Sequence, residues 1–278
     1  MNHAKDESGR PYILGHSDRE LERLRTQAIF LEPVTRRFLQ EAGIAEGMRV
    51  LDVGSGAGDV AFLAADLVGA SGEVVGTDAV STAVATASSA AEQRGLDNVR
   101  FLQGNPAEMR FDGRFDAVVG RYVLPFQSDP SAMLRGLARH VDSGGLLVFH
   151  EPDFCCVRSL PPAPLYDRAC RWIIDTTRRS GQSWSFLDKI GPAFAAAGLP
   201  APTLRMHTFA ATAPHARPWL SAVGDMVESL IPTMEELGVA TAAEVDIATL
   251  RDRLYDEVSA LDCLIVGRSE IGMWTRVG

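Results

Sequence analysis

The stretch VLDVGSGAGD, Val50 to Asp59, decides how the rest of the chain is read. An apolar run carries an acid, Asp52, and glycines follow at alternate positions, Gly54, Gly56 and Gly58. Strands buried on both faces of a parallel sheet read as short apolar runs. MRVLDVG is therefore expected to be a strand, and GDVAFLAADLVG the helix after it. Glycine allows positive φ angles and a close approach of the main chain to a ligand, and the helix start offers unpaired N–H groups to an anion. Such a loop alone can be no more than a tight strand–helix turn, so its surroundings decide.

Outward from the loop, the pattern alternates. EVVGTDA reads as the second strand, STAVATASSAAEQRG as a helix ending at Gly95, and NVRFLQGN as the third strand. FDAVVGRYVL holds a fourth strand, SAMLRGLARHVDSGG the next helix, and GLLVFHEPD a fifth strand. Apolar strands alternating with helices predict an α/β fold, a Rossmann-like mostly parallel sheet with helices on both faces. Upstream, HSDRELERLRTQAIFL reads as a helix with Ser17 and Glu20 as a capping box. A second helix is expected from Pro33 to a stop at Gly43. After Asp153 come a proline-rich stretch and a helix, a further helix at KIGPAFAAAG, and a sixth strand at PTLRMHTFA. Helical stretches at about 217–230 and 242–261 follow, and IGMWTRV closes the chain as a last strand. The organisation predicted is a leader or lid over 1–43, a ligand-binding core over 44–153, and the rest of the sheet with helical cap insertions over 154–278.

The 278 residues, 46% hydrophobic and 23% charged, suffice for one large domain or a domain with a substantial cap. A formal charge of −9, with no basic cluster, disfavours a nucleic-acid partner. MNHAKDESGRPY has no apolar core and does not read as a signal peptide, and no apolar run is long enough to span a bilayer. Cys155, Cys156, Cys170 and Cys263 are spaced for neither a disulfide framework nor a zinc site. Reduced thiols in a cytoplasm are expected, with no membrane partner, in a monomer or a homodimer.

Which nucleotide the loop serves is narrowed by two acids. Asp78, ending the second strand, can accept from two ribose hydroxyls, an arrangement shared by nicotinamide dehydrogenases and methyltransferases. The dinucleotide fingerprint is G-x-G-x-x-G, whereas this chain has G-x-G-x-G with Asp59 in place of the third glycine. A carboxylate there would repel a pyrophosphate but suits a ligand with a positive sulfonium and an ammonium group. The chain also lacks an obvious Tyr-x-x-x-Lys pair, which further disfavours an NAD(P)-dependent oxidoreductase.

Taken together, VLDVGSGAGD, VVGTDA, VRFLQGNPAEM, FDAVVGRYVL and GGLLVFHEPD resemble the class I S-adenosylmethionine-dependent methyltransferases. The likeness is to the small-molecule branch similar to ubiquinone and menaquinone biosynthesis enzymes. It covers about residues 48 to 153, and YILGHSDRELERLRTQA resembles a leader of that branch. The resemblance implies a seven-stranded sheet with an antiparallel last strand, and S-adenosylmethionine as cofactor with S-adenosylhomocysteine as product. It also implies roles: the main chain around Asp52, Gly54, Ser55 and Gly56 at the methionine end, Asp78 on the ribose and Ala79 against the adenine. Asn105, where the family often has aspartate, would meet the adenine amino group. Pro106 and Ala107 follow in the same motif, the Ala107 N–H meeting adenine N1. Gly120 and Arg121 would lie beside the methionine, with Tyr12 and His16 closing over the cofactor or anchoring the leader.

The sulfonium methyl is already an activated electrophile, so the protein must chiefly align the acceptor and exclude water. A base is needed where a hydroxyl must lose its proton. His150, at the end of the fifth strand, is the expected general base, and Glu151, on the opposite face by alternation, is expected at the substrate pocket. HEPD is not expected to hold a metal. Trp172, Trp184, Phe186, Trp219 and Met226 are expected to line an apolar acceptor pocket in the cap, suiting an aromatic or terpenoid molecule of natural product biosynthesis. The same motifs would serve a methyltransferase-fold cyclase that binds the cofactor without methylating.

Overall fold

The computed structural model describes residues 31–181 and 186–278. Among the described residues, the strands β1 (Arg49–Val53), β2 (Glu73–Asp78), β3 (Val99–Gln103), β4 (Phe115–Arg121), β5 (Val141–Asp153), β6 (Arg158–Leu160), β7 (Thr203–Ala211) and β8 (Leu264–Arg276) form one sheet. Its order is β3-β2-β1-β4-β5-β8-β6, with β7 also paired to β8. The described residues divide into two compact units, one of residues 31–151, 186–206 and 270–278, the other of 152–181 and 207–269.

In the first unit, residues 31–42 are helical (α1), and Gly43 stops the helix at φ 103°. The helix thus already runs two residues ahead of Pro33, its expected start. β1 (Arg49–Val53), α2 (Asp59–Val68), β2 (Glu73–Asp78), α3 (Ser81–Arg94) and β3 (Val99–Gln103) follow, then β4 (Phe115–Arg121), α4 (Pro130–Ala138) and β5 (Val141–Asp153). β1 pairs in parallel with both β2 and β4, β2 with β3, and β4 with β5. The strand order therefore reverses beside β1, and ligands of such sheets bind beyond the strand carboxyl ends at that point. The alternation of the strands sends Val50, Val74 and Val148 to one face, against α2 and α3. Leu51, Val75 and Phe149 go to the other face, with residues of α4 and α6 (Leu187–Ala196). Each such side chain contributes about 1.5–3 kcal/mol on full burial.

β7 (Thr203–Ala211) and β8 (Leu264–Arg276) complete the sheet together with β6 (Arg158–Leu160). Gly144 N donates to Val277 O at 2.7 Å and Val277 N to Gly145 O at 2.9 Å. His150 meets Glu270 farther along, so β8 runs antiparallel to β5. Two features differ from expectation. IGMWTRV is only the later part of a longer β8, and RSL forms a short strand, antiparallel to Leu264–Val266. That strand ends at Pro161, which cannot donate to a ladder.

The helices of the second unit are α5 (Pro164–Arg179), α7 (Arg217–Glu236), α8 (Ala242–Val245) and α9 (Ile247–Ala260). α5 begins with proline at its first position, and the carboxylate of Glu257 on α9 accepts from Leu165 N at 2.9 Å and Tyr166 N at 3.1 Å. An acid from another helix thus caps orphan donors of the first turn. Among the described residues, no helix is long and apolar enough to cross a membrane.

Candidate functional site

Gly54, Gly56 and Gly58 have φ of 65°, 52° and 95°, a region that side chains other than glycine enter at a cost. Ser55 N donates to Thr77 O at 2.9 Å and Gly58 N to Ser55 O at 2.8 Å, so the loop is tied to β2 and closed on itself. Gly76 makes this possible, since a Cβ there would lie 2.4 Å from the Phe101 ring and 3.1 Å from Ser55 Cβ. At Gly56 a Cβ would meet nothing within 4 Å. The main chain is open there.

Asp78 braces the same loop. Its Oδ2 accepts from Gly56 N at 2.9 Å and its Oδ1 from Val80 N at 2.9 Å, and each carboxylate oxygen has room for a further donor. Asp52 and Ser55 are buried beneath, and among the described residues neither Asp52 oxygen nor Ser55 Oγ has a hydrogen-bond partner. Burial pushes the Asp52 carboxyl up to about 8, against the pull of the Arg121 guanidinium. The Ala61 amide pulls the same way as Arg121, in a geometry too poor to count as a hydrogen bond. An unmet buried polar group costs roughly 1–3 kcal/mol. A buried acceptor, an open glycine loop and a braced carboxylate together fit a nucleoside ligand carrying an ammonium group and a positive charge.

At the end of β3, Asn105 Oδ1 accepts from Ala107 N at 3.0 Å. The two groups expected to meet adenine thus bond to each other in this structure. Pro106 O lies 2.8 Å from His140 Nε2, which fixes the turn to the end of α4.

The ends of β4 and β5 carry a denser cluster. Gly120 is pressed between Phe149 and Val123, each 3.1 Å from where a Cβ would stand. Arg121 donates to Thr35 Oγ1 at 3.3 Å and to Asp59 Oδ2 at 3.4 Å. Tyr122 has φ 61°, a conformation costing a tyrosine about 1–3 kcal/mol. Glu151 is fully buried and accepts from the amides of Val123 at 3.1 Å and Leu124 at 3.0 Å. Burial pushes its carboxyl up to about 8, against the pull of the Leu124 and Val123 amides. It thus holds the turn that carries Tyr122. His150, 2% exposed, lies 3.0 Å by Nδ1 from Thr35 Oγ1 and 2.9 Å by Nε2 from Glu270 Oε2. Tyr122 Oη donates to the same Glu270 oxygen at 2.8 Å.

Residues 44–179 match the family described as a methyltransferase domain. The match covers just under half of the chain. Among relatives, the aklanonic acid methyltransferase DauC of Streptomyces sp. strain C5 is 35% identical over 126 residues, 45% of this chain and 57% of that protein. The nocamycin O-methyltransferase of Saccharothrix syringae is 32% identical over 185 residues, covering 66% and 61%. The chain spans about a third to three fifths of the length of the curated relatives it matches. A solved putative methyltransferase from Bacillus halodurans aligns with TM-score 0.59 at 19% identity, over 87% of this chain and 97% of that one. The [4+2]-cyclase SpnF aligns with TM-score 0.52 at 19% identity, over 89% and 82%. At these identities the solved structures share the fold.

The residues expected in an acceptor pocket fall in different places. Phe186 is buried at the start of α6, among the core side chains of Leu134, Phe149 and Ile190. Trp219 and Met226 are buried on α7, and Trp219 Nε1 donates to Tyr166 Oη at 2.9 Å. Trp172 is half-buried on α5. Trp184, Tyr12 and His16 lie outside the described residues. Sequence reading missed Thr35, Tyr122 and Glu270. For Glu270 there was one signal, an acid directly before the apolar start of the last strand, IGMWTRV.

Proposed function

We propose that this protein transfers the methyl group of S-adenosylmethionine to a small, largely apolar acceptor, an aromatic or terpenoid molecule of specialised metabolism. One observation carries the reading most: a buried Asp52 carboxyl without a hydrogen-bond partner among the described residues, beneath a loop open at Gly56. The relatives that act on aklanonic acid and nocamycin support the acceptor class.

In this reading Asp52, Ser55 and the main chain of Gly54 and Gly56 hold the methionine end, with Gly120 and Arg121 beside it. Asp78 accepts from the ribose hydroxyls while keeping its bonds to Gly56 and Val80. Ala79 lies against the adenine, and the Asn105–Ala107 bond opens so that both groups meet its edge. The cofactor supplies an activated methyl electrophile, and the protein supplies alignment, worth roughly 7–11 kcal/mol of barrier. A base role for His150 requires a ring nitrogen released from Thr35 or Glu270. Free cysteines accord with a cytoplasmic setting.

Incubation with methyl-labelled S-adenosylmethionine and a panel of apolar aromatic and terpenoid acceptors tests this. Labelled product is the expected result. An acceptor converted without label would overturn the reading in favour of a reaction that only borrows the pocket.

A further inference from the structure

Tyr122, His150 and Glu270 meet at one atom. Glu270 Oε2 is 2.8 Å from Tyr122 Oη, which donates to it, and 2.9 Å from His150 Nε2. With Glu270 ionised, this oxygen accepts from Tyr122 Oη and from His150 Nε2, which then carries a proton. The other ring nitrogen faces Thr35 Oγ1. With the Thr35 hydrogen directed to Leu31 O, 2.9 Å away, Nδ1 must carry a proton as well. With that hydrogen turned to the ring, it occupies the Nδ1 lone pair. In both arrangements the ring nitrogens are engaged within the protein, and the ring is 2% exposed.

Tyr122 differs in two ways. It is half-buried rather than buried, and its hydroxyl hydrogen already points at a carboxylate that can take it up. Its position is held from several sides: Glu151 fixes the amides just after it, the His150 ring lies edge-on at 5.7 Å, and Gly120 and Arg121 precede it. The left-handed φ marks a residue kept in place against its backbone preference, as strained residues at active sites are.

We propose that Tyr122 is the catalytic residue that takes the acceptor's proton, and that Glu270 is the positioning residue behind it, locked by His150. The inference rests on the methyltransferase reading. As the methyl carbon exchanges its bond to sulfur for one to the acceptor atom, the acceptor's O–H or N–H proton passes to Tyr122 Oη. The hydroxyl's own hydrogen passes to Glu270 Oε2. Charge balances, because the carboxylate loses its negative charge as the sulfonium loses its positive one.

Nitrogen-15 histidine NMR tests the arrangement without any acceptor. In the wild type, His150 Nε2 is expected to be protonated at pH 7, with its hydrogen-bonded proton moving upfield in Glu270→Gln. An unprotonated wild-type Nε2 would overturn the proposal. With an acceptor in hand, Tyr122→Phe and Glu270→Gln should each lower kcat 10²- to 10⁴-fold. The affinity of either variant for S-adenosylhomocysteine should stay within about twofold of wild type, since neither residue is assigned a cofactor contact. A Tyr122→Phe variant that folds and keeps kcat within about threefold would overturn it equally. Failure of the wild type to bind S-adenosylhomocysteine would instead overturn the cofactor reading.

Discussion

The ends of β1 and β5 bury carboxyls equally deeply and use them differently. Asp52 is 1% exposed and Glu151 fully buried, and burial pushes both up to about 8. Glu151 is met by the amides of Val123 and Leu124, while Asp52 has no hydrogen-bond partner among the described residues. Burial alone therefore does not distinguish a carboxyl that organises the fold from one that awaits a ligand. The hydrogen-bond inventory does.

The contrast is open to attack at several points. The largest effect is expected at the satisfied end, where Glu270→Ala strips the shared acceptor from His150 and Tyr122. Removing one partner of a buried pair costs about 3–5 kcal/mol. Urea unfolding should show it, and a loss under about 1 kcal/mol would mean that the cluster is not what fixes this end. At the open end, Asp78→Ala should weaken S-adenosylhomocysteine by ~1.5–3 kcal/mol for the charged hydrogen bonds lost. Unchanged affinity in calorimetry would detach the loop from the cofactor.

The pH dependence of stability compares the two carboxyls directly. Both titrate near 8 in the folded protein and near 4 in an unfolded chain. The folded state holds more protons between those values. Each group's stabilising contribution is then complete below about pH 4 and is lost as pH rises toward about 8. The slope is at most about 1.4 kcal/mol per pH unit per group. Asp52→Asn should remove its share and raise the melting temperature at pH 7. Glu151→Gln, whose amide hydrogens would face the Val123 N–H, should lower it at every pH. If both variants shift the melting temperature the same way, the distinction fails. The smallest effect is expected for Asn105→Ala, which removes the local hydrogen bonds to Ala107 and Glu108, each worth about 0.5–1.5 kcal/mol. Calorimetry on the variant separates an adenine contact, seen as lost affinity, from a mere turn, seen only as lost stability.

How much of this could be read beforehand depended on distance along the chain. The glycine loop, Asp78 and the alternation of strands and helices lie within short windows, where periodicity and turn chemistry speak directly. The pairing of His150 with Glu270 spans 120 positions, and only the register of β5 against β8 brings them together. Thr35 arrives from a helix read only from its start at Pro33 and its stop at Gly43. The strand at Arg158–Leu160 has three residues, too few for any period to show, and exists because β8 offers it an edge. The engagement of Asn105 with Ala107 was equally hidden, since a motif names residues but not which of them bond to one another.

Tyr122 sets two pressures against each other. Asp246 and Asp262 also adopt positive φ, but aspartate tolerates it through local hydrogen bonding, as tyrosine does not. Selection for robustness alone would drift position 122 toward glycine, relaxing the backbone and deleting the phenol. Chains of this kind that have surrendered the chemistry should therefore be recognisable at that one position, and sturdier for it.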